Sequence, residues 1–235
     1  MLRLMMASNP VATGFASTVM SLSPWGYWRL NDAAGPTASD FSGNGRSGAA
    51  DSGVVFGTAG LFAGTGGAVT LGGTSSTSRI ALPSFTAPAA GSQKMSVMCT
   101  FRAAAPKLQS LLSADGSSRA WQFRLTATGS MEVITFSPSL GVTLAVPGNY
   151  SDGNPHMAIV VFDDSLDAAS GPIKVYVDGN LIAASATLQR YSQAGGTCYP
   201  AIGVRASTGT LEPFGGVMDD CAIFQKTLTA AEVSA

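Results

Sequence analysis

Two-residue alternation of apolar and polar side chains, broken at short intervals by turn residues, is the feature that most constrains this chain. In Lys94–Arg102, Met95, Val97, Cys99 and Phe101 fall on one face, while Ser96, Thr100 and Arg102 fall on the other. Trp121, Phe123 and Leu125 alternate in the same way with Gln122, Arg124 and Thr126. Successive side chains of a strand point to opposite faces, so this period predicts strands with one face in a core. The same reading predicts strands over Gly26–Leu30, Val69–Leu71, Arg79–Leu82, Leu108–Ser113, Met131–Phe136, Val142–Val146, Met157–Phe162, Ile173–Val177, Leu181–Ala184, Ala201–Val204 and Val217–Phe224. Gly, Pro, Asn and Asp clusters separate them. So many short strands without βαβ spacing imply an all-β fold of two packed antiparallel sheets.

Asp178-Gly179 between two apolar runs is the strongest turn signal, because these residues accept the positive φ angles of a tight hairpin. Two short helices are expected. Phe15, Val19 and Leu22 have helical spacing and stop before Pro24, and Thr229-Ala230-Ala231-Glu232 is a capping box opening one terminal turn. No repeat of fixed period and no long linker divides the 235 residues, so one domain is expected.

Charged residues make up only 11% of the chain, 13 Lys and Arg against 14 Asp and Glu. Without a basic patch there is no footprint for nucleic acid, and a weakly charged surface suits packing against other proteins. Polar residues interrupt every apolar run before it reaches the length of a transmembrane helix, so no membrane insertion is expected. Met1–Met6 is too short for a signal-peptide core, and the start is read as unprocessed. The three cysteines, Cys99, Cys198 and Cys221, lack CxxC spacing and are read as buried thiols, with a Cys198–Cys221 bridge left open.

Three segments, in order, resemble the laminin-G-like, concanavalin A-like jelly-roll family. Trp25–Gly48 (WGYWRLNDAAGPTASDFSGNGRSG) is similar to its opening strand and Asp-x-Ser-Gly-Asn-Gly loop. Pro155–Leu181 is similar to its His-initiated buried strand and following hairpin, though Pro155 stands where the family usually has Trp. Phe214–Glu232 (FGGVMDDCAIFQKTLTAAE) is similar to its closing strand and helix. The resemblance implies a two-sheet antiparallel jelly-roll sandwich over residues 25–235, behind an arm and short helix over 1–24. Phe15–Ser23 looks like the helix that precedes the Tyr-Trp strand in such domains on phage structural proteins. The resemblance also implies a structural role for His156.

The chemistry of the chain argues against an enzyme. Retaining glucanases of this fold carry Glu-x-Asp-x-x-Glu, and a pair of carboxyls must flank the sugar bond. Here Glu132, Glu212 and Glu232 are the only glutamates, and none has a carboxylate two or three residues away. No nucleophile elbow, P-loop or dinucleotide fingerprint occurs. Two readings stand for Asp40, Ser42 and Asn44: oxygen ligands of a structural calcium completed by Asp219 and Asp220 of the closing strand, or turn residues bonding their own backbone. Trp25, Tyr150 and Tyr191 are the candidate aromatic platforms for a glycan, and Trp28 and Trp121 are read as core. The function that the resemblance implies is a non-catalytic virion surface module: a capsid decoration or tail-associated protein. Its partners would be other virion proteins, further copies of itself (a trimer among the options) and a host-surface glycan. The alternatives are a secreted or cell-surface glycan-binding module and, last, a glycoside hydrolase.

Overall fold

The computed structural model describes residues 13–234 except 63–64, 74–77, 88–93, 116–118, 137–140, 164, 166–171, 186–195 and 206–211. Seventeen strands and two helices, each counted in chain order, make up the described elements. The first sheet runs β15 (Asn180–Ser185), β14 (Ile173–Val177), β13 (His156–Asp163), β8 (Lys94–Ala103), β17 (Gly215–Phe224), β5 (Gly67–Gly72), β4 (Val54–Ala59), with β1 (Gly26–Trp28) also on β17. The second runs β12 (Gly141–Val146), β11 (Met131–Phe136), β10 (Arg119–Leu125), β9 (Gln109–Asp115), β16 (Thr197–Ile202), β6 (Ile80–Ala81), β3 (Gly48–Ala50), β2 (Thr37–Ala38), with β7 (Phe85–Thr86) also on β16. Every described strand pair is antiparallel. The chain is therefore the all-β, two-sheet jelly-roll sandwich that the alternation and the resemblance predict.

The main core fills the space between the sheets. Trp28, Phe101, Trp121, Phe123, Phe162 and Phe214 interlock there, all of them fully or almost fully buried. Trp28 and Trp121 thus occupy the expected core positions. The predicted Asp178-Gly179 hairpin joins β14 to β15, and both residues have positive φ (50° and 78°). That pair of left-handed residues gives the turn the twist of its flanking strands.

β13 and the second half of β17 break the alternation, because every residue of His156–Asp163 is buried. Their outward side chains are covered by a second apolar layer. α1 (Thr13–Ser21) contributes Ala16 and Val19, and the stretch around α2 (Ala230–Ser234) contributes Leu228 and Val233. These pack on Met98, Met157, Ile159, Val161 and Phe224 of the sheet. The expected capping box starts α2: the Thr229 N–H donates to Glu232 Oε2 at 2.8 Å, and the Glu232 N–H to Thr229 Oγ1 at 3.2 Å. Cys99, Cys198 and Cys221 are free and buried, Cys99 facing Cys221 across β8 and β17. Cys198 lies in the other sheet, and burial raises its thiol pKa to about 11.

Leu228 is 3% exposed in the helix layer. Leu228→Ala is expected to destabilise the fold by about 2 kcal/mol or more, read as a lowered urea midpoint at unchanged m-value.

Candidate functional site

The closing strand β17 changes partners midway. Gly215–Met218 pair with β5, whereas Cys221–Ile223 pair with β1. Between them the register against β8 slips, from Met218 to Cys221. Asp219 and Asp220 occupy this junction with no exposed surface. Asp219 Oδ2 accepts from Thr65 Oγ1 at 2.6 Å and from the Leu61 N–H at 2.9 Å. Asp220 Oδ1 accepts from the Tyr27 hydroxyl and stands 3.8 Å from Arg29 Nε, while its Oδ2 has no partner among the described residues. Burial and the neighbouring Asp219 charge push the Asp220 pKa up to about 8. Burial likewise raises Asp219 and Tyr27.

The Asp40 loop is built as a turn. Asp40 Oδ1 accepts from the N–H groups of Tyr27 (3.1 Å) and Ser42 (2.9 Å), and Oδ2 from Ser42 Oγ (2.9 Å) and the Arg46 N–H (2.8 Å). Burial alone would raise the Asp40 pKa, but these bonds outweigh it and hold the carboxyl below its ordinary value. Asn44 Nδ2 donates to the carbonyls of Pro24 (3.1 Å) and Trp25 (3.2 Å). Tyr27 lies between the two acidic clusters, giving its N–H to Asp40 and its hydroxyl to Asp220. The donors around Asp40 take the lone pairs that calcium would need, and among the described residues no three acidic, His or Cys side chains are grouped so as to hold a metal ion. Asp40, Ser42 and Asn44 therefore do not fit a calcium shared with Asp219 and Asp220.

Trp25 is half-buried, with the Arg46 guanidinium 4.5 Å over its ring and Phe85 at 5.4 Å. Tyr150 is 8% exposed and donates its hydroxyl to the Pro147 carbonyl at 2.7 Å. Neither ring is open as a platform, and Tyr191 lies outside the described residues. His156 is clamped, Nδ1 2.9 Å from Asp178 Oδ2 and Nε2 3.1 Å from Asp152 Oδ1. Burial would lower the His156 pKa, but both carboxylates overcome it and raise it. Asp152, bonded by Asn154 and His156, falls to about 2. The imidazole ties two loops together, consistent with a structural histidine.

A different constellation lies on the outward face of the nine-stranded sheet. Trp121 and Phe123 of β10 point inward, so Gln122 and Arg124 point outward. Arg124 donates from Nη2 to Glu132 Oε2 at 2.9 Å and from Nη1 to Glu212 Oε1 at 3.1 Å. Arg205 Nη1 reaches the same Glu212 oxygen at 3.2 Å, and Gln122 Nε2 donates to Glu212 Oε2. Two arginines balance two glutamates, and Gln122 Oε1, Ser110 Oγ and Arg205 Nε are buried with no described partner. Glu212 is held at φ 56°, a strained conformation for a non-glycine residue. Tyr199 of β16, in register with Asp115 of β9, stands on this face with 57% of its surface exposed. Alternation could have placed Gln122, Arg124 and Glu132 on one face. Glu212, from a loop about ninety residues along the chain, carries no such pattern.

The description "Concanavalin A-like lectin/glucanases superfamily" belongs to a family profile that matches residues 63–234. The chain belongs to this superfamily. A comparison with curated proteins finds no match. Among solved structures, this jelly roll is similar to the binding domain of Paraclostridial Mosquitocidal Protein 1 (12% identity, TM-score 0.68, covering 92% of this chain and 52% of that one). It is also similar to the ligand-binding domain of botulinum neurotoxin serotype D in complex with N-acetylneuraminic acid (14%, 0.65, 92% and 51%). A third likeness is to domain 4 of AbnA, an extracellular arabinanase from Geobacillus stearothermophilus, in complex with arabinotriose (18%, 0.64, 90% and 97%). The chain spans about half the length of the toxin domains it matches. Identities this low speak for the shared superfamily fold.

The shifted groups set the pH response. Asp220 and His156 have raised pKa values in the fold, so their stabilisation is complete below the unfolded values and is lost as pH rises through the folded ones. Asp152 and Asp40 are lowered, so their share is lost only in acid. The melting temperature is expected to fall between pH 6 and pH 9, and Asp220→Asn to flatten that slope while raising the melting temperature at pH 8.5. Chelator and added calcium are both expected to leave the melting curve unmoved in differential scanning fluorimetry.

Proposed function

We propose that this chain is a non-catalytic carbohydrate-binding module carried on a virion surface, and that it grips its glycan on the outward face of the nine-stranded sheet. The observation that carries the reading is the union, on one face, of the exposed Tyr199 ring with the Arg124–Glu132–Glu212–Arg205 network. A sugar ring offers an apolar face for an aromatic and hydroxyls that both donate and accept. On the same face Gln122 Oε1 and Ser110 Oγ are buried acceptors and Arg205 Nε a buried donor, each without a described partner. Such groups are costly when unmade and select strongly for a partner that completes them.

Catalysis is not favoured by the same geometry. Glu132 and Glu212 are both committed to guanidinium groups, whereas glycoside hydrolysis needs one carboxyl free to deliver a proton. Solved domains of this fold have been seen with arabinotriose and with N-acetylneuraminic acid, which supports a saccharide as the ligand class. The virion setting is supported by the helix ahead of the Tyr27-Trp28 strand, which packs on the sandwich through Val19, and by the low surface charge. In that setting other virion proteins, or further copies of this chain, would hold the module in place.

A glycan array is expected to give saturable binding that Tyr199→Ala weakens about tenfold, equivalent to ~1.4 kcal/mol. Arg124→Gln should do the same, while Tyr150→Ala, which alters the far loop, should lower stability first. Binding indifferent to Tyr199 and Arg124, or turnover of any polysaccharide by the wild-type chain, would refute the proposal. Detection of the chain in purified particles by mass spectrometry tests the virion setting, and a chain found only in secreted material would overturn it.

A further inference from the structure

The outer face of the eight-stranded sheet is only partly roofed. α1 and α2 cover the end where Met98, Met157 and Ile159 are buried. Past Asp220 lies an open cleft of about 470 Å³, over β5, the end of β8 and the start of β17. That volume falls within the ~300–1,000 Å³ typical of small-ligand clefts. Thr70 of β5 is in register with Val217 of β17, which is in register with Arg102 of β8. Val55 of β4 extends the row beyond Thr70 and is 59% exposed. Residues in register stand on the same face, so the row sets the largely buried Val217, a hydroxyl and a guanidinium along the cleft, with Val55 at its outer side.

The cleft also has a distinct charge. Arg29, Arg79, Arg124 and Arg205 each face a carboxylate, but no described carboxylate pairs with the exposed Arg102. Lys107 sits at the same end, donating to the Gly73 carbonyl beside Gly215. No acidic side chain lines the cleft. Its walls are largely glycine backbone at Gly72, Gly215 and Gly216, and at Gly153 the space a Cβ would occupy is open. Thr70 Oγ1 shares one hydrogen bond with Thr58 Oγ1 at 2.8 Å, which leaves capacity for a ligand hydroxyl.

We propose that this cleft is a second binding site, separate from the Tyr199 face, and that it takes an acidic monosaccharide. The carboxylate lies on the Arg102 guanidinium, whose planar fork matches it with two parallel bonds. The apolar face of the ring lies over Val217, and Thr70 takes a ring hydroxyl. An isolated carboxylate would gain the charge contact without the ring burial, and a neutral hexose the reverse.

The test titrates the full chain with sodium glucuronate, glucose and sodium acetate, by calorimetry and by amide chemical shifts. Glucuronate is expected to bind at least tenfold tighter than glucose or acetate and to shift the amides of Gly153, Gly215 and Gly216 in the wild-type chain. Arg102→Gln should weaken glucuronate tenfold or more at an unchanged melting temperature, Arg102→Lys should keep part of the affinity, and Tyr199→Ala should leave it intact. Equal binding of acetate, equal binding of glucose, shifts that avoid these glycines, or affinity retained by Arg102→Gln would each overturn the proposal. Array binding lost with Tyr199→Ala while glucuronate still binds leaves both sites standing. Glucuronate binding without any Tyr199-dependent array signal counts against the sheet-face reading alone.

Discussion

The architecture depends on one strand receiving partners on both edges at the end of the chain. β17 lies against β8 along one side and divides the other between β5 and β1, so the first and last strands of the sandwich meet there. At the point of exchange the backbone ladder is interrupted, and side chains replace it. Asp219 draws in the Leu61–Thr65 turn, and Asp220 draws in Tyr27 and Arg29. Two adjacent carboxylates with no exposed surface are costly, and the raised Asp220 pKa records that cost. They are tolerable because hydroxyl and amide donors, and the Arg29 charge, converge on them from segments far apart in sequence.

With the sandwich closed in this way, its two outer faces diverge. Helices at both ends of the chain roof half of the eight-stranded sheet, which is why β13 is apolar on both sides. The rest of that face is left as a glycine-walled cleft beside Arg102. The nine-stranded sheet instead carries a polar face, which a charge-balanced arginine–glutamate network shares with an exposed tyrosine. Both faces are rigid sheet surfaces, so any ligand they hold meets groups already ordered before it arrives.

The aromatic candidates differ for a physical reason. Trp25, Tyr150 and Tyr199 all flank turn-rich segments, yet two are spent on packing and one is open. Trp25 is capped by Arg46, and Tyr150 ties its hydroxyl to Pro147 and its ring to His156. Tyr199 precedes the strand that the period predicts over Ala201–Val204, and its exposure follows from its register with Asp115 on a particular face of β9. The Asp40 loop differs in the opposite sense. Its Asp-x-Ser-Gly-Asn-Gly spacing is equally compatible with a metal and with a turn, and the four donors around one carboxylate decide for the turn.

Local chemistry alone therefore determined the all-β class, most strands, the Asp178-Gly179 hairpin, the α2 capping box and the core positions of Trp28 and Trp121. Each depends on side-chain period or on φ preferences within a few residues, and such information is written into neighbouring positions. Only the tertiary structure decided that Glu212 completes the Arg124 network, that Asp219 and Asp220 bridge β5 and β1, and that Arg102 faces an open cleft. Those contacts join residues that are distant along the chain, and which of them meet is set by strand order and register, which a sequence period does not encode.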